Sequence, residues 1–417
     1  MNTEFRRLPR EDFRDFINIV VNAYTGVFPS TVENKKLMEQ TFIKFQDEEP
    51  TINYYGAYRN EELVGGMRLH EFVMNVLSQR TQAGGIGLVA VDFLHKKEKI
   101  CKDIICYSID YFKKKGYGLA MLYPFRPDFY KKMGFGYGTK INQYRVKPEH
   151  LPIGNSKEHI RFASIDDKEN LRECYNRYIH NINGMIEKSD YALNRIFDTQ
   201  NRVVVCQFDS LIRGYTVFKF EQVNANNLLI NDIHIDELVY ENKEVLKELL
   251  TFLNSQSDQI REIIFDTQDE FFHHLLSDVR SRSTDLIPHV FHESNVQGVG
   301  IMYRVINTKK VFETLSNHNF GGQTCKLKLT VHDSLLEENN GSTLIYFESG
   351  TVKLVAEGES DVEISMDVSD FSSMLIGVIS FKSLYRYGLG NISDEKYIET
   401  VNKIFATDEK PMCTAKF

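Results

Sequence analysis

One pattern occurs twice in the sequence. Tyr54-Tyr55-Gly56-Ala57-Tyr58, a polar turn Arg59-Asn60-Glu61-Glu62, and Leu63-Val64-Gly65-Gly66-Met67-Arg68-Leu69 read as strand, turn and strand. Val203-Val204-Val205-Cys206-Gln207-Phe208, Asp209-Ser210 and Leu211-Ile212-Arg213-Gly214-Tyr215-Thr216-Val217 repeat it, with Gly214 falling 149 residues after Gly65. A divergent duplication of a whole domain follows from that spacing. In the first copy an amphipathic stretch from Glu11 to Tyr24 precedes the pattern. An apolar strand Ile86-Gly87-Leu88-Val89-Ala90-Val91, a helix from Ile100 to Lys115 and a strand Leu119 to Tyr123 come after it. In the second copy Ser164-Ile165-Asp166-Asp167 resembles a capping box opening a helix, and the pattern is followed by a strand at 229–235, a helix at 242–253 and a strand at 262–265. Both copies are mixed α/β, with a strand feeding a helix N-terminus.

From Lys309 the texture changes. Cys325-Lys326-Leu327-Lys328-Leu329-Thr330-Val331 and Val362-Glu363-Ile364-Ser365-Met366-Asp367-Val368 alternate strictly, Asn340-Gly341 is a hairpin signal, and helical segments are expected at 371–376 and 394–405. This is an α+β unit. A chain of 417 residues, at about 150 per domain, accommodates three such pieces, read here as 1–150, 151–308 and 309–417.

The copies differ where the third strand meets its helix. His95 to Lys102 holds Lys96, Lys97, Lys99 and Lys102 against Glu98, whereas Asp236 to Glu244 holds four acids against Lys243. A basic loop entering a helix N-terminus suits an anion and an acidic one repels it, so only the first copy is suited to phosphates. Two solvated turns are the plainer alternative. The whole chain carries a net charge of -8, which argues against a protein that coats nucleic acid or an anionic membrane. No apolar run approaches the ~18 residues of a membrane span and the polar start Asn2-Thr3-Glu4 has no secretory h-region, so a cytoplasmic protein is expected. The six cysteines are scattered and expected to be reduced. His273-His274 and His289-x-x-His292 lack companion ligands at usable spacing, so no metal site is expected. Gly134-Phe135-Gly136-Tyr137-Gly138 lacks the rest of a dinucleotide loop.

The strand Val89-Ala90-Val91, the basic loop opening a helix, and Leu122-Tyr123-Pro124-Phe125-Arg126-Pro127-Asp128-Phe129-Tyr130-Lys131-Lys132-Met133-Gly134-Phe135 resemble the GNAT acetyltransferases. More narrowly, the three units in this order with a terminal Phe resemble the Eis (enhanced intracellular survival) family. The resemblance implies tandem GNAT folds, each a mixed sheet with flanking helices. The first is catalytic and the second degenerate, followed by a sterol carrier protein-like α+β domain. It implies acetyl-CoA as co-substrate, held by the backbone of Val89, Ala90 and Val91, by the loop Lys96, Lys97, Glu98, Lys99, Ile100, Cys101 and Lys102, and beside Phe125 and Arg126. It also implies Tyr130 as general acid, the α-carboxylate of Phe417 as general base, and a homo-oligomer, specifically a hexamer. The superfamily loop Arg/Gln-x-x-Gly-x-Gly/Ala reads Lys96, Lys99 and Cys101 at its marked positions, so a glycine that would let backbone approach phosphate is missing.

Transfer of acetyl to an amine needs a neutral nucleophile and a protonated leaving thiolate. A thiol near ~8.5 can take its proton from a tyrosine near ~10. A carboxylate near ~3.5 is a weak base towards an ammonium near ~10, so Phe417 is expected to orient the amine, relay its proton through water, or act with a pKa raised by burial. The acceptor, a small molecule or a lysine amine, is expected between Asn22 to Phe28 and the strand residues His70-Glu71-Phe72. Glu71 stands open between an amine-attracting carboxylate and a solvated strand residue. The rival class is a non-catalytic CoA- or lipid-binding sensor or scaffold.

Overall fold

The computed structural model describes residues 3–224, 227–281, 286–287 and 291–417. It forms two compact units. One comprises the chain up to Gly138, Ile301–Pro411 and Ala415–Phe417, the other Thr139–Gly300 and Met412–Thr414.

In the first unit the order is β1 (Glu4–Arg7), α1 (Phe13–Ala23), α2 (Val32–Glu48), β2 (Ile52–Arg59), β3 (Glu62–Val76), β4 (Gln79–Val91), α3 (Ile100–Lys114), β5 (Leu119–Leu122) and α4 (Pro127–Lys131). Strands β1 to β5 lie side by side in sequence order, antiparallel except for the parallel pair β4·β5. The sheet is completed by Met302–Val305 and then Gly136–Tyr137. Apolar spacing in the helices covers both faces of the sheet. On α3, Ile100, Ile104, Ile105, Ile109 and Phe112 pack on Val64, Leu69, Ile86 and Ala120. On the other face, Phe13 and Phe16 of α1 and Phe42 of α2 pack their rings on Tyr54 of β2. At about 1.5–3 kcal/mol for each fully buried side chain, these two layers supply most of the holding energy of the sheet.

Sheet membership does not follow a linear division at 150 and 308. Met302–Val305, from the end of the second stretch, hydrogen-bonds to β5, and Ile141–Val146, from the end of the first, pairs with Ile260–Thr267 in the other sheet. All four residues of Met302–Val305 are buried, so this strand is a core strand of the first unit.

The rest of the first unit is a five-stranded sheet ordered Thr351–Val355, Gly341–Glu348, Cys325–His332, Val362–Asp367, Gly390–Ile392. The alternation read from 325–331 is realised as alternating burial. The inward face holds Phe312, Phe320, Phe347, Phe371 and Phe405, with neighbouring ring centroids 5.1 to 6.5 Å apart. Its helices span Val368–Leu375 and Ile398–Ile404. Arg304, fully buried, is bound by both carboxylate oxygens of Asp333 at 2.8 and 2.9 Å, which joins the completing strand to this sheet's domain.

The second unit has its own seven-stranded sheet, ordered Val296–Gly298, Ile141–Val146, Ile260–Thr267, Asn227–Tyr240, Leu211–Asn224, Arg202–Phe208, Ile160–Phe162, with helices Lys168–Ile179 and Lys243–Asn254. Here too a parallel pair, Asn227–Tyr240 with Ile260–Thr267, follows an antiparallel set. Among the described residues, no helix is long and apolar enough to cross a membrane.

Candidate active site

The parallel pair β4·β5 stops early. Its partners run from Ala83↔Leu119 to Ile86↔Leu122, after which β5 ends and β4 continues to Val91 paired only with β3. Residues 87–91 therefore present one edge of backbone donors and acceptors to no other strand. The same stretch is bulged: Gly66 faces Ala90 while Arg68 faces Gly87, so β4 carries an extra residue, and Leu88 takes φ +49. The sequence-predicted residues Val89, Ala90 and Val91 all lie on this edge. Tyr24, just past α1, donates its hydroxyl to the Val89 carbonyl at 3.0 Å.

Beyond β4 the chain turns into α3. Lys97 and Lys99 both hold φ +66, the conformation usually left to glycine, so the missing loop glycine is replaced by lysines in its backbone state. Lys99 is the N-cap of α3 and gives no side-chain cap, leaving first-turn N–H groups for an anion. Glu98 does not oppose this. Arg59 donates to its carboxylate at 2.6 Å and to its carbonyl at 3.0 Å, and His95 lies 3.2 Å from the same carboxylate. Lys96 lies over the Phe93 ring at 5.1 Å, and Ile100 is buried in the core. Lys102 is close enough to Cys106 to lower its thiol pKa, though burial wins and raises it. The open β4 edge, the uncapped helix and the lysines together fit a pantetheine arm and a pyrophosphate. Phe125 is exposed with its ring edge-on to Tyr130 at 5.9 Å, and Arg126 is exposed and paired with Asp128 at 2.6 Å.

Tyr130 sits in the short α4, 2 % exposed, with its ring also edge-on to Phe129 and Phe135. Its hydroxyl shares a hydrogen bond with the Cys101 thiol. Burial first, then Cys101 and Tyr24, push its pKa far above the ordinary phenol range. Burial likewise lifts Cys101 to about 11 and Tyr24 to about 12, Arg68 pulling the latter down. Tyr130, buried, and the half-buried Cys101 and Tyr24 thus form one cluster, joined to the bulged edge by the Tyr24 bond to Val89.

Phe417 arrives beside the bulge. A Cβ at Gly87 would stand 3.2 Å from its backbone carbonyl carbon and 3.5 Å from its oxygen, so the absent side chain of Gly87 makes room for this group. The ring packs on Phe72, Tyr123 and His70 at 5.0, 5.4 and 5.5 Å, and Tyr123 donates its hydroxyl to the Ala415 carbonyl at 2.8 Å. His70 is 6 % exposed, and burial, then Arg68, drive its pKa well below the usual value. Gly87 and Tyr123 were not singled out from the sequence. A glycine in the middle of an apolar strand, a mark of a bulge or of close backbone approach, is the signal by which Gly87 could have been found.

Glu71 belongs to neither sequence alternative. It accepts from Tyr111 at 2.7 Å, Lys115 at 2.5 Å and Tyr117 at 3.0 Å, on the α3 face of the sheet. Side chains alternate along a strand, so His70 and Phe72 face the Phe417 side and Glu71 faces away.

In the second unit the corresponding helix, Lys243–Asn254, is capped by Asn242, whose side chain accepts from Val245 N at 3.0 Å. Glu241 is held by Arg177 and Arg213, and Glu237 is bonded by Lys188 at 2.5 Å and Tyr215 at 2.9 Å. In this copy one first-turn N–H is capped from within, and the basic side chains beside it are paired with glutamates. Among the described residues no group of three or more His, Cys, Asp or Glu could hold a metal, and His289 lies outside them.

Residues 4–138 match the family model of the acetyltransferase (GNAT) domain, residues 184–305 a second acetyltransferase (GNAT) domain model, and residues 311–414 the sterol carrier protein domain. No curated protein matches the chain. Among solved structures, the GCN5-related N-acetyltransferase from Anabaena variabilis is similar at 16 % identity with 100 % of both chains covered and a TM-score of 0.82. The GCN5-related N-acetyltransferase from Kribbella flavida follows at 14 %, covering 100 % of this chain and 98 % of that one, with a TM-score of 0.80. Eis1 from Mycobacterium abscessus is similar at 19 %, with 100 % of both chains and a TM-score of 0.76. These identities carry the fold. By its domains the chain is a GNAT-type N-acetyltransferase, a class that uses acetyl-CoA in general. Within that class, two GNAT domains followed by a sterol carrier protein domain fit the Eis family.

Proposed function

We propose that the chain transfers acetyl from acetyl-CoA to a primary amine at the open edge of β4, within the segment 1–150. On this reading, 151–308 is a non-catalytic copy and 309–417 brings Phe417 to the site. The observation that carries the reading is the bulged edge at residues 87–91, left without a strand partner beyond Ile86, with Tyr24 bonded to the Val89 carbonyl and the end of Phe417 seated by Gly87.

When bound, acetyl-CoA supplies an activated acyl thioester and a thiolate leaving group. Val89, Ala90 and Val91 hold the pantetheine arm by backbone hydrogen bonds, and the loop 96–102 with the α3 N-terminus holds the pyrophosphate. Tyr130, held protonated by its burial, donates its hydroxyl to the leaving sulfur, passes it the proton as the C–S bond breaks, and recovers a proton from solvent, while the amine's proton leaves through the Phe417 carboxylate. The carboxylate of Phe417 orients the amine and takes its proton. Because that base is weak, the neutral amine is the form that reacts, and rate rises with pH up to the amine's own pKa. The Phe-filled interior of the C-terminal sheet supports a positioning role for that domain over lipid carriage. A cytoplasmic homo-oligomer is part of the same reading.

The test is thiol release on mixing the protein with acetyl-CoA and a panel of primary amines. Amine-dependent release is expected. Calorimetric binding of acetyl-CoA without release for any amine would favour a CoA-binding sensor.

A further inference from the structure

On the Phe417 side of the sheet stands Arg68, a cation that among the described residues is in no ion pair with an acidic side chain. Arg68 stands directly across from Gly87 in the β3·β4 ladder, so its side chain rises from the same face as the Phe417 carboxyl, His70 and Phe72. Its Nε is buried without a hydrogen-bond partner, and among the described residues no acidic side chain pairs with it. Three other arginines of this domain each meet an acid: Arg6 with Glu61, Arg10 with Asp47, Arg59 with Glu98. The acid closest to it along the strand, Glu71, faces α3 and is fully engaged there. The charge is felt on this side of the sheet, where it lowers the pKa of both Tyr24 and His70.

A half-dehydrated guanidinium costs free energy unless an anion meets it, and its planar fork matches a carboxylate. It would also repel an acceptor that carries further positive charge. His70 adds a second buried and unpartnered nitrogen, Nε2, 3.6 Å from the Cβ position of Gly87. The remaining walls are the rings of Phe72, Tyr123 and Phe417.

We propose that the acceptor carries a carboxylate beside its reactive amine on an apolar body, as an apolar amino acid does, and that Arg68 binds that carboxylate. The proposal rests on the reading of acetyl transfer at the β4 edge. It assigns the amine end to Phe417 and the acid end to Arg68, and it disfavours polycationic acceptors.

The experiment compares L-phenylalanine with phenethylamine, which differ only by the carboxylate, in wild type, Arg68→Gln and Arg68→Lys. The expected result is a kcat/KM ratio, acid-bearing over acid-free, that falls at least about tenfold in Arg68→Gln and is only partly restored in Arg68→Lys, which keeps the charge and loses the planar fork. A ratio unchanged by Arg68→Gln overturns the proposal, as does an equal loss for both acceptors, which would show Arg68 serving the Phe417 carboxyl instead. Calorimetric titration of the full chain with N-acetyl-L-phenylalanine and N-acetylphenethylamine, without acetyl-CoA, gives a readout independent of turnover. Arg68-dependent binding of the acid alone supports the proposal even if no amine is acetylated, and in that case the transfer reading fails separately. Equal binding of both products by wild type overturns the proposal and leaves the transfer reading standing.

Discussion

Gly87 offers a perturbation whose size can be worked out. An alanine Cβ there would lie 3.2 Å from the backbone carbonyl carbon of Phe417 and 3.5 Å from its oxygen. Non-bonded carbons settle at about 3.5–4.0 Å, so the carboxyl must retreat by a few tenths of an ångström. A misplacement of about 1 Å at a reacting group costs on the order of 10²-fold, which scales to roughly several-fold for Gly87→Ala. Valine adds two γ-carbons about 1.5 Å further out, forces a displacement nearer the full ångström, and is expected to cost about 10²-fold in kcat. Stability should move the other way or not at all. Replacing a strand-interior glycine removes a backbone-entropy penalty of about 0.5–1 kcal/mol, and Gly87 needs no left-handed conformation. The assay is steady-state thiol release with saturating acetyl-CoA, run beside thermal unfolding. A folded Gly87→Val protein with wild-type kcat would refute the placement of the Phe417 carboxyl at the reaction.

Three other substitutions probe separate parts of the molecule. Tyr130→Phe should lower kcat by about 10²–10⁴-fold while changing acetyl-CoA affinity far less, measured by stopped-flow thiol release and calorimetry. Glu71→Gln should leave acceptor kcat/KM alone and lower stability at neutral pH by about 1–3 kcal/mol, because it weakens bonds from Tyr111, Lys115 and Tyr117. Burial pushes the Glu71 pKa up, but those three bonds outweigh it and hold it low. A lowered folded pKa contributes stability above the unfolded value of ~4.3 that is lost as pH falls through the folded one, so the wild-type advantage over Glu71→Gln should shrink below pH ~4.3 in denaturant titrations. Arg304→Met leaves the buried Asp333 carboxylate without its counter-charge, held only by Leu335 N, Leu336 N and Asn339, and should cost about 3–5 kcal/mol, read as a large drop in thermal midpoint.

Local chemistry was legible in the sequence and non-local placement was not. The apolar run 86–91, the helix at 100–114 and Tyr130 followed from periodicity and motif, and the strict alternation of 325–331 became alternating burial. Met302–Val305 could not be assigned to its sheet, because alternation says that a stretch is a strand and not which edge it completes. In sequence Glu71 groups with His70 and Phe72 as a wall of the acceptor site, and only the fold shows that α3 covers the Glu71 face and supplies Lys115. The helix Val32–Glu48 escaped notice because its buried face is carried by Met38, Phe42 and Phe45 among many charges. Lys97 and Lys99 at positive φ contradict the expectation that this backbone needs glycine. Arg68 looked like an ordinary strand residue, and its lack of an acid is a fact of tertiary structure alone.

The most direct measurement concerns Phe417 itself. Adding one glycine after it converts its carboxyl into an amide that can neither take a proton nor hold charge. Acetylated amine would then be followed by mass spectrometry in single-turnover reactions with wild type and the extended chain. A fall of at least about 10²-fold with acetyl-CoA binding retained is the predicted result. Equal rates for the two chains would contradict the claim that the carboxyl seated over Gly87 is the base.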